Sequence, residues 1–152
     1  MTLDPAPIIL LIDDHDDSRE IVAAWLRLEG RNVLEFERAQ PALELLLQRQ
    51  GAGLSTVIVT DLTLPGMTGV ELATQIRADE LTVHVPIIAL TGRADVAFGP
   101  GELFDDLIVK PFDPNELLAS VTRSLSDEAR VSSLRTRPSP ARHIPRSSSS
   151  GG

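Results

Sequence analysis

Three continuous apolar runs stand out along the chain, Ile8–Ile12, Thr56–Thr60 and Pro86–Leu90. Runs without polar alternation are the pattern of strands buried on both faces, as in a parallel sheet. Asn32–Phe36 and Leu107–Val109 are shorter strand candidates. Between them, apolar residues recur at helical spacing: Ile21, Trp25 and Leu28 in a first helix, Leu43, Leu46 and Leu47 in a second, and Val70, Ala73, Ile76 with Arg77 in a weaker third. The second and third stripes read as core rather than as binding surface. Asp16, Asp17 and Ser18 precede the first helix, Pro41 opens the second, and Asp113 with Pro114 opens the last, each fitting the residue preferences of a helix start. Strand and helix alternate, which predicts an α/β architecture.

The periodicity stops after about Leu125, and the chain becomes a Ser, Arg and Pro mixture. A folded domain over residues 1–126 and a disordered tail over 127–152 are expected, the tail being too short and too poor in apolar residues for a second domain. No attached effector domain is expected in this chain. A length of 152 residues suits one such domain.

The net charge of −8 is uneven: residues 130–152 hold five arginines and no acid, leaving the preceding 129 residues at −13. An acidic body repels nucleic-acid phosphates, so direct DNA binding is not expected. The absence of cysteine excludes a disulfide framework and a thiolate metal site. The apolar run Ile8–Ile12 is far too short for a membrane span, and its acidic flank is wrong for a secretory signal, so a soluble, cytoplasmic protein is expected.

Candidate chemistry follows from the sheet. In an open parallel sheet, functional groups collect outside the carboxyl ends of the strands. Asp13 and Asp14 end the first predicted strand, Asp61 the third, Thr91 the fourth and Lys110 the fifth, so all five point to one edge. Carboxylates converging there would repel one another unless a cation shared the site. Oxygen ligands without His or Cys favour a hard ion, and Mg²⁺ accepts a few carboxylates, waters and a phosphate oxygen. Asp61 becomes the candidate nucleophile, forming an acyl phosphate. Lys110 and the metal would stabilise charge on the transferring group, with Thr91 donating its hydroxyl. Lys110 is the single lysine beside thirteen arginines, and a compact ammonium suits a crowded carboxylate pocket better than a guanidinium fork.

From about Pro7 to Leu125 the chain resembles the receiver domains of bacterial response regulators. The matching pieces are LLIDDHDD, VTDLTLPGMTGVEL around Asp61, IIALTG and LIVKPF. The resemblance implies a flavodoxin-like, doubly wound, five-stranded parallel sheet in the order 2-1-3-4-5, and a cis peptide before Pro111. It implies that Asp14 binds Mg²⁺ directly, that Asp13 acts mainly through water, and that the backbone carbonyl of Thr63 supplies a further oxygen. It also implies a stand-alone receiver that takes its phosphoryl group from a histidine kinase or histidine phosphotransfer protein. The receiver then signals through a downstream protein or a phosphorelay. Such a protein is a switch with self-catalysed phosphotransfer rather than an enzyme acting on a separate substrate.

Two departures from the family pattern concern output. The position three residues before the lysine, usually aromatic, is Leu107, and the segment from Thr91 to Lys110 is short and interrupted by Gly99, Pro100 and Gly101. A shortened or irregular fourth helix is expected there, with phosphorylation retained and the usual coupling of threonine to an aromatic residue lost. A phosphorylation-independent interaction module stays open as an alternative. So does an aspartate-nucleophile phosphatase of the haloacid dehalogenase type, although that chemistry wants an acid where Thr63 stands.

Several residues have plainer readings. Asp16 and Asp17 suit the positive end of a helix, and Gly92 suits backbone geometry while leaving a pocket accessible. Thr91 also fits a turn or capping hydroxyl. His15 is read as a neighbour of the pocket rather than a ligand, His84 and His143 lack metal-site spacing, and Trp25 is read as a core or half-buried helix residue.

Overall fold

The computed structural model describes residues 6–92 and 103–136. Five parallel strands, β1 (Ile8–Ile12), β2 (Asn32–Phe36), β3 (Thr56–Asp61), β4 (Ile87–Thr91) and β5 (Asp106–Val109), form one sheet in the order β2-β1-β3-β4-β5. Helices α1 (Asp16–Leu28), α2 (Ala39–Gly51), α3 (Gly69–Ala78) and α4 (Pro114–Thr136) cover its faces. The helix expected between β4 and β5 falls on residues 93–102, outside the described residues.

Alternate residues of β1, β3 and β4 feed opposite cores, as the pleat requires. Leu10, Ile12, Ile58 and Ile87 pack with Leu43 and Leu46 of α2 and Leu72 and Ile76 of α3. Ile9, Leu11, Val57, Val59, Ile88 and Leu90 pack with Ala23 and Leu26 of α1 and Leu117 and Val121 of α4. The continuous apolar runs are thereby explained, because β1, β3 and β4 have no solvent face.

The first helix corrects its sequence pattern. Ile21 and Leu28 are 69% and 83% exposed, and the buried side chains are Arg19, Ala23 and Leu26. Helical spacing identified a helix, but its inward stripe contains an arginine that a hydrophobic count passes over. Asp16 and Asp17 lie in the first turn of α1 rather than before it, and His15 is the N-cap without a side-chain capping bond. The expected boundary at residue 126 falls inside α4, which continues to Thr136. Residues 127–136 contain neither Gly nor Pro, the two residues that most penalise a helix interior. Residues 137–152 lie outside the described residues.

The start of α3 is set by a capping box. Thr68 Oγ1 accepts from the Glu71 amide at 3.1 Å, and the Thr68 amide donates to Glu71 Oε1 at 3.0 Å. Thr68→Ala is expected to cost about 1 kcal/mol, the usual effect of removing a capping hydroxyl. Urea denaturation should register it as a lower midpoint at unchanged slope.

Candidate functional site

β1, β3 and β5 lie within the same parallel sheet, so their carboxyl ends open on one edge and bring together side chains distant in sequence. Asp13 and Asp14 follow β1, Asp61 closes β3, and Lys110 follows β5. The peptide before Pro111 is cis. The Lys110 amide donates to the Thr91 carbonyl at 2.7 Å, tying the end of β5 to that of β4.

Lys110 Nζ donates to Asp61 Oδ2 at 3.3 Å and lies 3.8 Å from Asp13 Oδ2. Asp61 Oδ1 accepts from the Leu62 amide at 2.9 Å, which fixes the carboxylate plane. Asp61 is 8% exposed. Burial pushes its pKa up and the nearby Asp13 adds to this, while Lys110 and the Leu62 amide only partly oppose them. The carboxylate is thus held in a place that disfavours its own charge.

Asp13, Asp14, His15 and Asp61 each offer a ligand atom within 4.8 Å of the others. Asp14 Oδ1 is buried and lacks a hydrogen-bond partner, a costly arrangement for a carboxylate oxygen unless a cation meets it. Three carboxylates with one orphaned oxygen fit a hard divalent ion. His15 stands beside the acidic pair, as its place in the sequence suggested: Nδ1 is 3.4 Å from Asp14 Oδ1 and 3.6 Å from Asp13 Oδ1.

Among the other sequence candidates, Thr91 is buried, one residue past the β4 position opposite Asp61. Gly92 follows it at an open spot where an added Cβ would meet nothing within 4 Å. Thr63 is exposed in the loop after β3. Leu107 sits in β5 opposite Ala89 and is 36% exposed, away from the carboxylates in register. A groove of about 310 Å³ adjoins the pocket, sharing Asp13 and Lys110 with it and lined, apart from Ser18, by apolar groups including Ile21, Trp25, Pro111 and Phe112.

The family model described as response regulator receiver domain matches residues 9–122. The chain belongs to that family. The receiver is 41% identical over 114 residues to the phosphate regulon transcriptional regulatory protein PhoB of Pseudomonas aeruginosa, a match covering 73% of this chain and 48% of PhoB. It is 36% identical over 118 residues to the transcriptional regulatory protein SrrA of Staphylococcus aureus, covering 74% of this chain and 45% of SrrA. The chain therefore spans about half the length of these curated relatives. Among solved structures, the chemotaxis protein CheY4 of Vibrio cholerae superposes with a TM-score of 0.67 at 28% identity, covering 80% of this receiver and 100% of that chain. Among the described residues, no helix is long and apolar enough to cross a membrane.

Proposed function

We propose that this receiver accepts a phosphoryl group on Asp61 from the phosphohistidine of a histidine kinase or histidine phosphotransfer protein. The signal then passes on through protein contacts or a phosphorelay. The observation that carries the reading is a buried Asp61 carboxylate with Lys110 Nζ at 3.3 Å, set among carboxylates that include an unpartnered oxygen of Asp14.

Asp14, Asp61 and the Thr63 carbonyl are the groups that would hold Mg²⁺, with Asp13 acting through water. When bound, the ion supplies positive charge that lessens the repulsion between Asp61 and an incoming phosphoryl group. In the transfer, an Asp61 oxygen forms the new bond to phosphorus as the donor's N–P bond breaks, and the electron pair returns to the imidazole, which takes up a proton. Lys110, 3.3 Å from Asp61 Oδ2, would follow the negative charge from the carboxylate to a phosphoryl oxygen, and the Thr91 hydroxyl would donate to another. Gly92 keeps the entrance open. Thr63 stands where a phosphatase of this chemistry wants its acid, which speaks for a phosphoacceptor over a hydrolase.

The test is intact-protein mass spectrometry after incubation with acetyl phosphate, with and without Mg²⁺. A metal-dependent phosphoryl adduct is the expected result. No adduct on a folded chain that binds Mg²⁺ would favour the phosphorylation-independent interaction module instead.

The apolar groove beside the pocket bears on the donor. A phosphohistidine must reach Asp61 on a protein surface, and the exposed Ile21 beside Trp25 and Phe112 offers that surface an apolar anchor. Ile21→Glu is expected to slow transfer from a phosphorylated donor protein by about tenfold, as for loss of one interface anchor. Labelling by acetyl phosphate, which needs no docking, should be unchanged. Equal rates with the protein donor would place its docking elsewhere.

A further inference from the structure

Arg19 is a charged side chain buried inside the fold, 8% exposed, one turn into α1. Burying a guanidinium is costly unless its donors are met, and here they are met by three different parts of the chain. One terminal nitrogen donates to the backbone carbonyl of Asp13 at 2.8 Å, the other to Asp16 Oδ1 at 2.9 Å, and Nε to Glu35 Oε1 at 3.2 Å. Glu35 is held in turn by Arg27 at 3.0 Å. Burial by itself would lower the Arg19 pKa, yet the hydrogen bonds and charges of Asp16 and Glu35 hold it above its ordinary value.

The carbonyl that Arg19 holds belongs to the acidic pair. The Asp13 amide donates to the Phe36 carbonyl at 3.0 Å, and Asp13 Oδ1 accepts from the His15 amide at 2.9 Å. Arg19 closes the remaining side. The β1–α1 loop is therefore clamped from β2, from α1 and from within itself, although Asp13, Asp14 and Asp61 repel one another across the pocket. Without the clamp, the loop can relieve that repulsion by opening.

We infer that Arg19 is a positioning residue for the divalent-ion site: by fixing the Asp13 carbonyl it holds the acidic pair in the geometry that receives the ion. This rests on the phosphoacceptor reading above. Residues that orient metal ligands typically change affinity by roughly 10–100-fold when removed.

The experiment is calorimetric titration with MgCl₂ of the full chain, with Trp25 fluorescence as a second signal, on wild type, Arg19→Met, Arg19→Lys and Arg27→Met. Arg19→Met should weaken Mg²⁺ binding at least tenfold, and the Mg²⁺ concentration for half-maximal acetyl phosphate labelling should rise by the same factor. Arg19→Lys, which can reach the Asp13 carbonyl with one donor but cannot span three acceptors, should recover part of the affinity. Arg27→Met breaks the same network without touching the loop and should lower the melting temperature alone. If Arg19→Met melts earlier but binds Mg²⁺ as wild type does, the residue is merely structural and the inference fails. Should Arg19→Met not fold, wild-type affinity in a folded Arg19→Lys that has lost the Asp13 contact, shown by the loop's amide shifts, overturns it equally. A wild type that binds no Mg²⁺ and takes no phosphoryl group sinks the phosphoacceptor reading itself, an outcome distinct from either.

Discussion

Asp61→Asn is expected to lose the phosphoryl adduct and to gain stability in the same step. The amide has no anionic oxygen to attack phosphorus, so labelling by acetyl phosphate should fall by on the order of 10³-fold or more, the scale seen when a nucleophile is removed. Intact mass measurement checks this directly, and an adduct of undiminished size on the variant would mean another residue is the acceptor. The stability arm follows from the raised pKa of Asp61. A carboxyl with a higher pKa in the folded than in the unfolded chain binds its proton more tightly when folded. Its ionised form therefore subtracts from stability above the folded-state pKa, and the penalty disappears as the pH falls below the unfolded value of about 3.9. In EDTA at pH 7, Asp61→Asn should melt higher than wild type, and the difference should close towards pH 4. Added Mg²⁺ should raise the wild-type melting temperature more than that of the variant. A variant that melts lower at pH 7 in EDTA would show that the attraction of Lys110 outweighs the cost of burial.

Gly69→Ala should damage both the fold and the pocket. A Cβ at Gly69 would lie 2.5 Å from the Asp61 carbonyl oxygen, 2.8 Å from Leu62 Cα and 3.0 Å from Leu62 Cδ2. The first two are backbone atoms of the strand end that carries Asp61, and the Gly69 amide is itself bonded to the Leu62 carbonyl at 3.0 Å. Nothing flexible can yield, so either α3 backs away or Asp61 moves. Alanine is the better helix former by about 1 kcal/mol in a helix interior, but Gly69 is the first residue of α3, where that advantage is small. Overpacking of about 3 kcal/mol, at the upper end for an added methyl group, outweighs it. Urea melts should show this loss, and acetyl phosphate labelling of the fraction that remains folded should be slower than wild type. A variant as stable as wild type would mean that the α3–β3 approach is looser than these distances state.

Much of this was readable before any coordinates. β1, β3 and β4 announce themselves as unbroken apolar runs because both of their faces are buried. The strand-end rule then selects Asp13, Asp14, Asp61, Thr91 and Lys110, because in a parallel sheet topology alone carries residues far apart in sequence to one edge. The orientation of α1 was not readable: Ile21, Trp25 and Leu28 have the spacing of a core stripe, yet the core takes Arg19 and Ala23, and an arginine that spends its charge on backbone and carboxylates looks polar in any hydrophobic pattern. His15 was read as a neighbour of the pocket, and the turn after β1 does bring its largely exposed ring beside Asp14, a distance that sequence adjacency alone does not fix. Gly69 was visible only as a letter in a motif, since the reason for it is a distance to a strand that precedes it by eight residues. The length of α4 was missed because Ser132 and Ser133 weaken the periodicity that a reader follows, while the backbone continues to Thr136.

All the chemistry hangs from one rim of the sheet, and the opposite rim is left for other uses. The turn after α2 lies on that far side, with Gly53 in left-handed backbone at φ 74° and an added Cβ there meeting nothing within 4 Å. β3 leads from this turn to Asp61, six residues of strand or about 20 Å away. A reporter grafted at Gly53 would sit one sheet length from the carboxylate pocket yet be joined to it by a fully buried strand, which makes that turn a natural place from which to watch the pocket without touching it.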